Sequence, residues 1–162
     1  MLKPGTNAPE FILNDQDGKE VSLSDLLQSG PLILYFYPAD FTPGCTRQAC
    51  MVRDINEDAL SVGLQIVGVS PQDEDSHVRF RQQNNLKFRL LSDPEKVAIR
   101  MYDANGPFGV GVQRLTYLIN QGRKIEAAMH ANVFGDRQRA FIEKAIILRE
   151  SAGMKKPQAD KT

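Results

Sequence analysis

Leu32-Ile-Leu-Tyr-Phe-Tyr37 is an unbroken apolar and aromatic run, and no other stretch constrains the fold as strongly. A strand that buries one face alternates with polar residues, whereas a run with no polar position has to be covered on both faces. The run therefore predicts a central strand with helices on either side of its sheet. Pro38-Ala-Asp-Phe-Thr-Pro-Gly-Cys45 follows, and its two prolines and glycine predict a loop. From Thr46 to about Leu60 there is neither glycine nor proline, and Ala49, Val52, Ile55 and Ala59 recur at helical spacing. A helix thus starts at Cys45 or beside it, and Gly63 stops it. Leu64 to Val69 returns to strand composition. Strand, helix and strand in this order make a crossover with parallel strands.

The flanking segments extend this core. Ala8 to Leu13 and Glu20-Val21, separated by Asp15-Gln-Asp-Gly18, predict an N-terminal hairpin, and Ser22 to Leu27 predicts a short helix ended by Gly30. Asp73 to Asn84 reads as a polar amphipathic helix with Val78 and Phe80 on its apolar side. Leu90-Leu91 is a short strand, and Ser92-Asp-Pro-Glu95 starts a helix running to Met101. Leu115–Ile119 and Lys124–Met129, joined by Asn120-Gln-Gly-Arg123, predict a hairpin, and Asp136 to Glu150 a closing helix. The expectation is one α/β domain over residues 1–150, a thioredoxin-like fold whose mixed central sheet is flanked by helices and extended by the N-terminal hairpin. Residues 151–162 are expected to form a flexible tail.

Composition narrows the functional classes. In 162 residues, 20 lysines and arginines balance 20 aspartates and glutamates. No global field gathers phosphate backbones or anionic lipid, so neither a nucleic-acid nor a membrane partner is expected. The N-terminus lacks a signal-like apolar stretch, and the longest apolar run, Pro31 to Tyr37, is far short of the ~20 residues of a membrane span. A cytoplasmic protein is the expectation. Two cysteines are too few for a disulfide scaffold or a structural zinc site, so a pair in a reducing compartment reads as catalytic or redox-active.

Cys45 falls where α/β sheets build their sites, beyond the carboxyl end of a strand at a helix N-terminus. There the free backbone N–H groups and the helix dipole favour a thiolate over a thiol. Thr42 is near enough for its hydroxyl to bond the sulfur or an incoming oxygen, and Pro38 can shield one side without presenting an N–H. Cys50 follows five residues later. On an ideal helix the two Cα atoms are roughly 8–9 Å apart and point about 140° away from each other. A disulfide needs about 7 Å or less, so the pair can bond only if the first helical turn unwinds. The alternative is that Cys50 merely packs beside Met51. The spacing fits neither a Cys-x-x-Cys redox motif nor common metal-ligand spacings.

Pro38-Ala-Asp-Phe-Thr-Pro-Gly-Cys45 also contains the Pro-x-x-x-Thr-x-x-Cys motif of the peroxiredoxins. With Cys50 behind it, the chain resembles their atypical two-cysteine branch, bacterioferritin comigratory protein or peroxiredoxin Q. The resemblance runs from residue 4 to about 148, through Ala8-Pro-Glu-Phe-Ile-Leu, Leu34-Tyr-Phe-Tyr-Pro, Val67-Gly-Val-Ser, Leu91-Ser-Asp-Pro and Arg114-Leu-Thr-Tyr-Leu-Ile in order. It implies an antioxidant thiol peroxidase that needs neither metal nor organic cofactor. Cys45 would be the peroxidatic and Cys50 the resolving cysteine, with Thr42 and Arg114 activating the peroxide. Thioredoxin or a similar dithiol would be the reductant, and the assembly a monomer or weak homodimer.

The chain departs from that pattern in places. Gln48 stands where the branch commonly has glutamate, leaving an arginine partner without charge. Phe41 replaces a usual polar residue, which makes the pocket mouth more apolar and favours organic hydroperoxides over hydrogen peroxide. The tryptophan common in the last strand is missing, and Met129 stands near its place. His77 and His130 lack metal-pair spacing and read as structural. Two other readings stay open: a general thiol-disulfide oxidoreductase of the same fold, and a non-enzymatic redox-sensing or metal-delivery module.

Overall fold

The computed structural model describes residues 1–153; the C-terminal tail expected from residue 151 lies, beyond Gly153, outside the described residues. In chain order the elements are β1 (Ile12–Asp15), β2 (Glu20–Ser22), α1 (Leu23–Gln28), β3 (Leu32–Phe36), α2 (Pro43–Ser61), β4 (Gln65–Ser70), α3 (Glu74–Asn84), β5 (Arg89–Ser92), α4 (Val97–Met101), β6 (Leu115–Ile119), β7 (Ile125–His130) and α5 (Asp136–Ser151). The strands form one sheet in the order β2-β1-β5-β4-β3-β6-β7. β3 lies inside it, parallel to β4 from Leu32 opposite Gln65 to Phe36 opposite Val69, and antiparallel to β6. This is the mixed thioredoxin-like sheet with an N-terminal hairpin.

All five residues of β3 are buried, and their alternation divides the core in two. Leu32, Leu34 and Phe36 join α1, α4 and Tyr117 on one face. Ile33 and Tyr35, continued by Tyr37, meet α2, α3 and α5 on the other. Each such side chain contributes about 1.5–3 kcal/mol by leaving water, so burial on both faces fixes β3 as the frame from which the following loop departs.

Four sequence expectations are corrected. β1 begins at Ile12, not Ala8, because residues 5–8 are engaged elsewhere: Gly5 N–H donates to Ile125, and Ala8 N–H to Arg123. α4 begins at Val97, not near Pro94, because the Asp93 carboxylate accepts the Val97 and Ile99 amides and Lys96 takes a left-handed conformation before the helix. α2 begins at Pro43, two residues ahead of Cys45; proline suits the first helical position because that N–H has no intrahelical acceptor. α3 has Asp73 as its N-cap, but it buries His77 with Phe80 while Val78 is only half-buried.

Candidate active site

The site forms where β3 ends. Tyr37 N–H still donates to Val69, extending the ladder by one residue, and the chain then turns away at Pro38. Gln72, just beyond β4, holds that turn. Its side-chain oxygen accepts the Asp40 N–H at 3.0 Å and the Ser70 hydroxyl at 2.7 Å, and its Nε2 reaches the Pro38 carbonyl at 3.4 Å. Thr42 is the N-cap of α2, but its hydroxyl donates to the Ala39 carbonyl and not to a helix amide. The first bond of the helical ladder runs from Thr46 N–H to Thr42 C=O, so the Gly44 and Cys45 N–H groups precede it as unsatisfied donors. Cys45 itself is 1% exposed, packed in the core layer that contains Tyr35, Tyr37 and Ala49.

Arg114 comes from the neighbouring strand of the sheet, at the residue before β6. Its carbonyl accepts Ala131 N–H, and its Nη1 donates to Gln48 Oε1 at 2.9 Å. A Cβ on Gly44 would lie 2.9 Å from Arg114 Nη2, so glycine here lets the guanidinium lie against the start of α2. Gln48 is fully buried, and its Nε2 has no partner. The fold thus brings Cys45, Gly44, Gln48 and Arg114 together, with Thr42 exposed at the mouth and Pro38 half-buried behind it. Beneath them the Tyr35 hydroxyl also lacks a partner. Burial holds this phenol well above its ordinary range, with Cys45, Asp40 and Cys50 pushing the same way and Arg114 opposing. A Cβ on Gly68 would lie 3.0 Å from that hydroxyl, so glycine in β4 leaves room for it.

Cys50 is half-buried, and its thiol donates to Asn84 Oδ1 at 3.7 Å. Asn84 is held by α3 through the Phe80 carbonyl. Both cysteines are free thiols on one continuous 19-residue helix. Phe41 is an exposed aromatic residue at the mouth, with its ring edge-on to Phe80. Val133 and Phe134 add apolar surface beside α2, where Arg47 lies over the Phe134 ring. His130 is exposed at the end of β7.

Sequence reasoning missed the polar cluster behind the loop. Asp40 and His77 both have fully buried side chains, with Asp40 Oδ2 2.7 Å from His77 Nδ1. A signal existed: His77 is three residues from Phe80, so the two share a helix face, and an enclosed histidine needs polar partners.

A thiol at a helix start, beyond the carboxyl end of a central strand and with an arginine packed against that helix start, defines a thioredoxin-fold thiol enzyme. Residues 4–128 match the AhpC/TSA family. The chain is 43% identical to the chloroplastic peroxiredoxin Q of Suaeda salsa across 74% of its own length, and spans 56% of that longer chain. Its structure superposes on peroxidoxin BcpB of Mycobacterium tuberculosis with a TM-score of 0.81 and 30% identity, covering 93% of this chain and 98% of that one. The bacterioferritin comigratory protein of Xanthomonas campestris, described for alkyl peroxide reduction, gives a TM-score of 0.75 and 25% identity over 84% of this chain and 92% of that one. The chain belongs to the AhpC/TSA family, the peroxiredoxins, and is a thiol-dependent peroxidase. Within the family it falls in the bacterioferritin comigratory protein and peroxiredoxin Q branch.

Proposed function

We propose that this chain reduces hydrogen peroxide and organic hydroperoxides through a two-cysteine cycle. The Cys45 thiolate attacks the terminal peroxide oxygen; the O–O bond breaks, an S–O bond forms, and Cys45 becomes a sulfenic acid. The displaced alkoxide or hydroxide takes a proton from solvent. Charge develops on that leaving oxygen, and the donors nearest to it are the Arg114 guanidinium, the Gly44 and Cys45 amides and the Thr42 hydroxyl. The first two turns of α2 then unwind, the Cys50 thiol displaces water from the sulfenic acid, and a Cys45–Cys50 disulfide forms. Thioredoxin or a similar dithiol restores both thiols by exchange.

The observation that carries this reading is the juxtaposition of a buried Cys45 in the first turn of α2 with Arg114 packed against Gly44. The distance constraint on Cys50 supports the unwinding step, since an intact helix keeps the two thiols apart. Phe41, Val133 and Phe134 support a preference for organic hydroperoxides, because they give the mouth an apolar rim. The proposal extends to a cytoplasmic monomer or weak homodimer without nucleic-acid or membrane partners. Zero net charge supports that part, and among the described residues no helix is long and apolar enough to cross a membrane. It also treats residues 1–150 as the working domain.

Cysteine variants test the cycle. Cys45→Ser abolishes peroxide consumption with a dithiol reductant, whereas Cys50→Ser consumes one peroxide per chain and leaves a sulfenic acid that dimedone traps. Turnover by Cys45→Ser would overturn the reading. For the substrate preference, Phe41→Asp lowers the rate ratio of cumene hydroperoxide to hydrogen peroxide; an unchanged ratio contradicts it.

A further inference from the structure

Four polar contacts converge on one residue of the cysteine loop. The Asp40 carboxylate accepts the Tyr37 hydroxyl on Oδ1 at 2.7 Å and the Ser76 hydroxyl on Oδ2 at 2.8 Å, while its own N–H donates to Gln72. His77 Nδ1 lies 2.7 Å from Oδ2, and the opposite ring nitrogen, Nε2, lies 3.1 Å from the Leu91 carbonyl of β5. A carbonyl only accepts, so Nε2 is the ring end that donates, to Leu91, while Nδ1 faces the carboxylate. The imidazole is therefore a bridge with both ends occupied, tying the loop to β5 through a side chain of α3.

Only Phe41 separates Asp40 from the N-cap Thr42. Phe41 has φ of 65°, a conformation that a bulky residue keeps only when its surroundings impose it. Those surroundings are Asp40 on one side, the α2 start on the other and the Phe80 ring below. A histidine needed for packing alone would serve as well with an apolar ring, but here each ring nitrogen has a dedicated partner.

We infer that His77 is a positioning residue for peroxide reduction: by holding Asp40 against α3 and β5 it fixes the Thr42–Cys45 turn beneath Arg114. This rests on Cys45 being the reacting thiol. Displacement of reacting groups by ~1 Å can cost about a hundredfold in rate, so a fixed turn matters to the attack on an O–O bond. Alkylation of the same sulfur by iodoacetamide needs no such alignment with Arg114 and Thr42.

The test is the rate of Cys45 sulfenic acid formation in a Cys50→Ser background, read by rapid quench and mass analysis beside the rate of iodoacetamide alkylation. His77→Leu slows the peroxide step by about tenfold or more while alkylation changes by less than about threefold. His77→Asn, whose side-chain amide places a donor near the Nδ1 position, returns the peroxide step to within about threefold of the parent rate. An unchanged peroxide rate in His77→Leu, an equal fall in both reactions, or no recovery in His77→Asn overturns the inference. Should His77→Leu not fold, Ser76→Ala and Tyr37→Phe decide. Each removes one donor from Asp40 and slows the peroxide step about twofold to fivefold without slowing alkylation equally, and unchanged rates in both count against it. Peroxide turnover by Cys45→Ser would instead remove the underlying cycle, a separate failure.

Discussion

The segments on either side of Phe41 are built on opposite terms. Upstream, Tyr37 to Asp40 follows a strand buried on both faces, and its polar groups are held by Val69, Gln72, Ser76 and His77. Downstream, the first two turns of α2 are enclosed but loosely held. Within α2, Gln48 Nε2 is buried without a partner above the equally unpartnered Tyr35 hydroxyl of β3, and the Cys50 thiol has one long contact to Asn84. The difference teaches which part of the site stays and which part moves. A helix start tied to the rest of the fold only through Gln48 to Arg114 and Cys50 to Asn84 opens at lower cost than a segment held at almost every polar group by β4, Gln72 and α3. The proposed chemistry needs both kinds: a fixed turn for attack on peroxide, and a helix start that releases for disulfide formation.

The comparison can be broken at its strongest point first. Arg114→Ala removes the guanidinium that lies over Gly44 and bonds Gln48, and peroxide reduction falls by about 10²–10³ in kcat/KM, the scale of a lost transition-state donor. Steady-state kinetics with a dithiol reductant checks this, and a loss below fivefold contradicts it. Next, the two tyrosines of β3 and its extension set the bonded region against the unbonded one. Tyr37→Phe deletes a hydrogen bond to a carboxylate and lowers stability by about 1.5–3 kcal/mol in denaturant unfolding. Tyr35→Phe deletes a buried hydroxyl without a partner and leaves stability unchanged or raises it by up to ~1 kcal/mol. Similar losses in both variants would erase the distinction.

The smallest effect concerns alkaline pH. Burial raises the pKa of Tyr35, Tyr37 and Tyr102 well above 10 and pushes that of Tyr117 up to about 12. The unfolded chain ionises these phenols near pH 10, whereas the folded protein holds them neutral for longer. Their contribution to stability is thus complete below pH 10 and is lost as pH rises through about 12 and beyond. Circular dichroism should report unfolding above pH 10 in step with phenolate absorbance. Phenolate absorbance that rises near pH 10 with the fold intact contradicts the burial argument.

Much of this was legible in the sequence because backbone demands leave local marks. The unbroken Leu32–Tyr37 run dictated a strand covered on both faces, and Pro43-Gly44 marked the turn into the helix that carries Cys45. Arg114 could be connected to Cys45 only through motif resemblance, since their proximity depends on β6 pairing beside β3. The Asp40–His77 pair left a weaker trace. Its partners are 37 residues apart, and a polar helix with one buried histidine looks like a solvated helix until packing fixes its face. Starts displaced by three to four residues, as in β1 and α4, have a simpler origin: bonds to another element or to a nearby carboxylate decide them, and neither is a periodic signal.

Hydrogen exchange resolved to individual amides, on reduced protein and after one equivalent of peroxide, tests the division at Phe41 most directly. The account predicts that oxidation abolishes protection from Thr46 to Cys50 while the Tyr37 and Asp40 amides stay protected. Retained protection at the start of α2 alongside a formed Cys45–Cys50 bond, or loss of protection on both sides of Phe41 together, would contradict it.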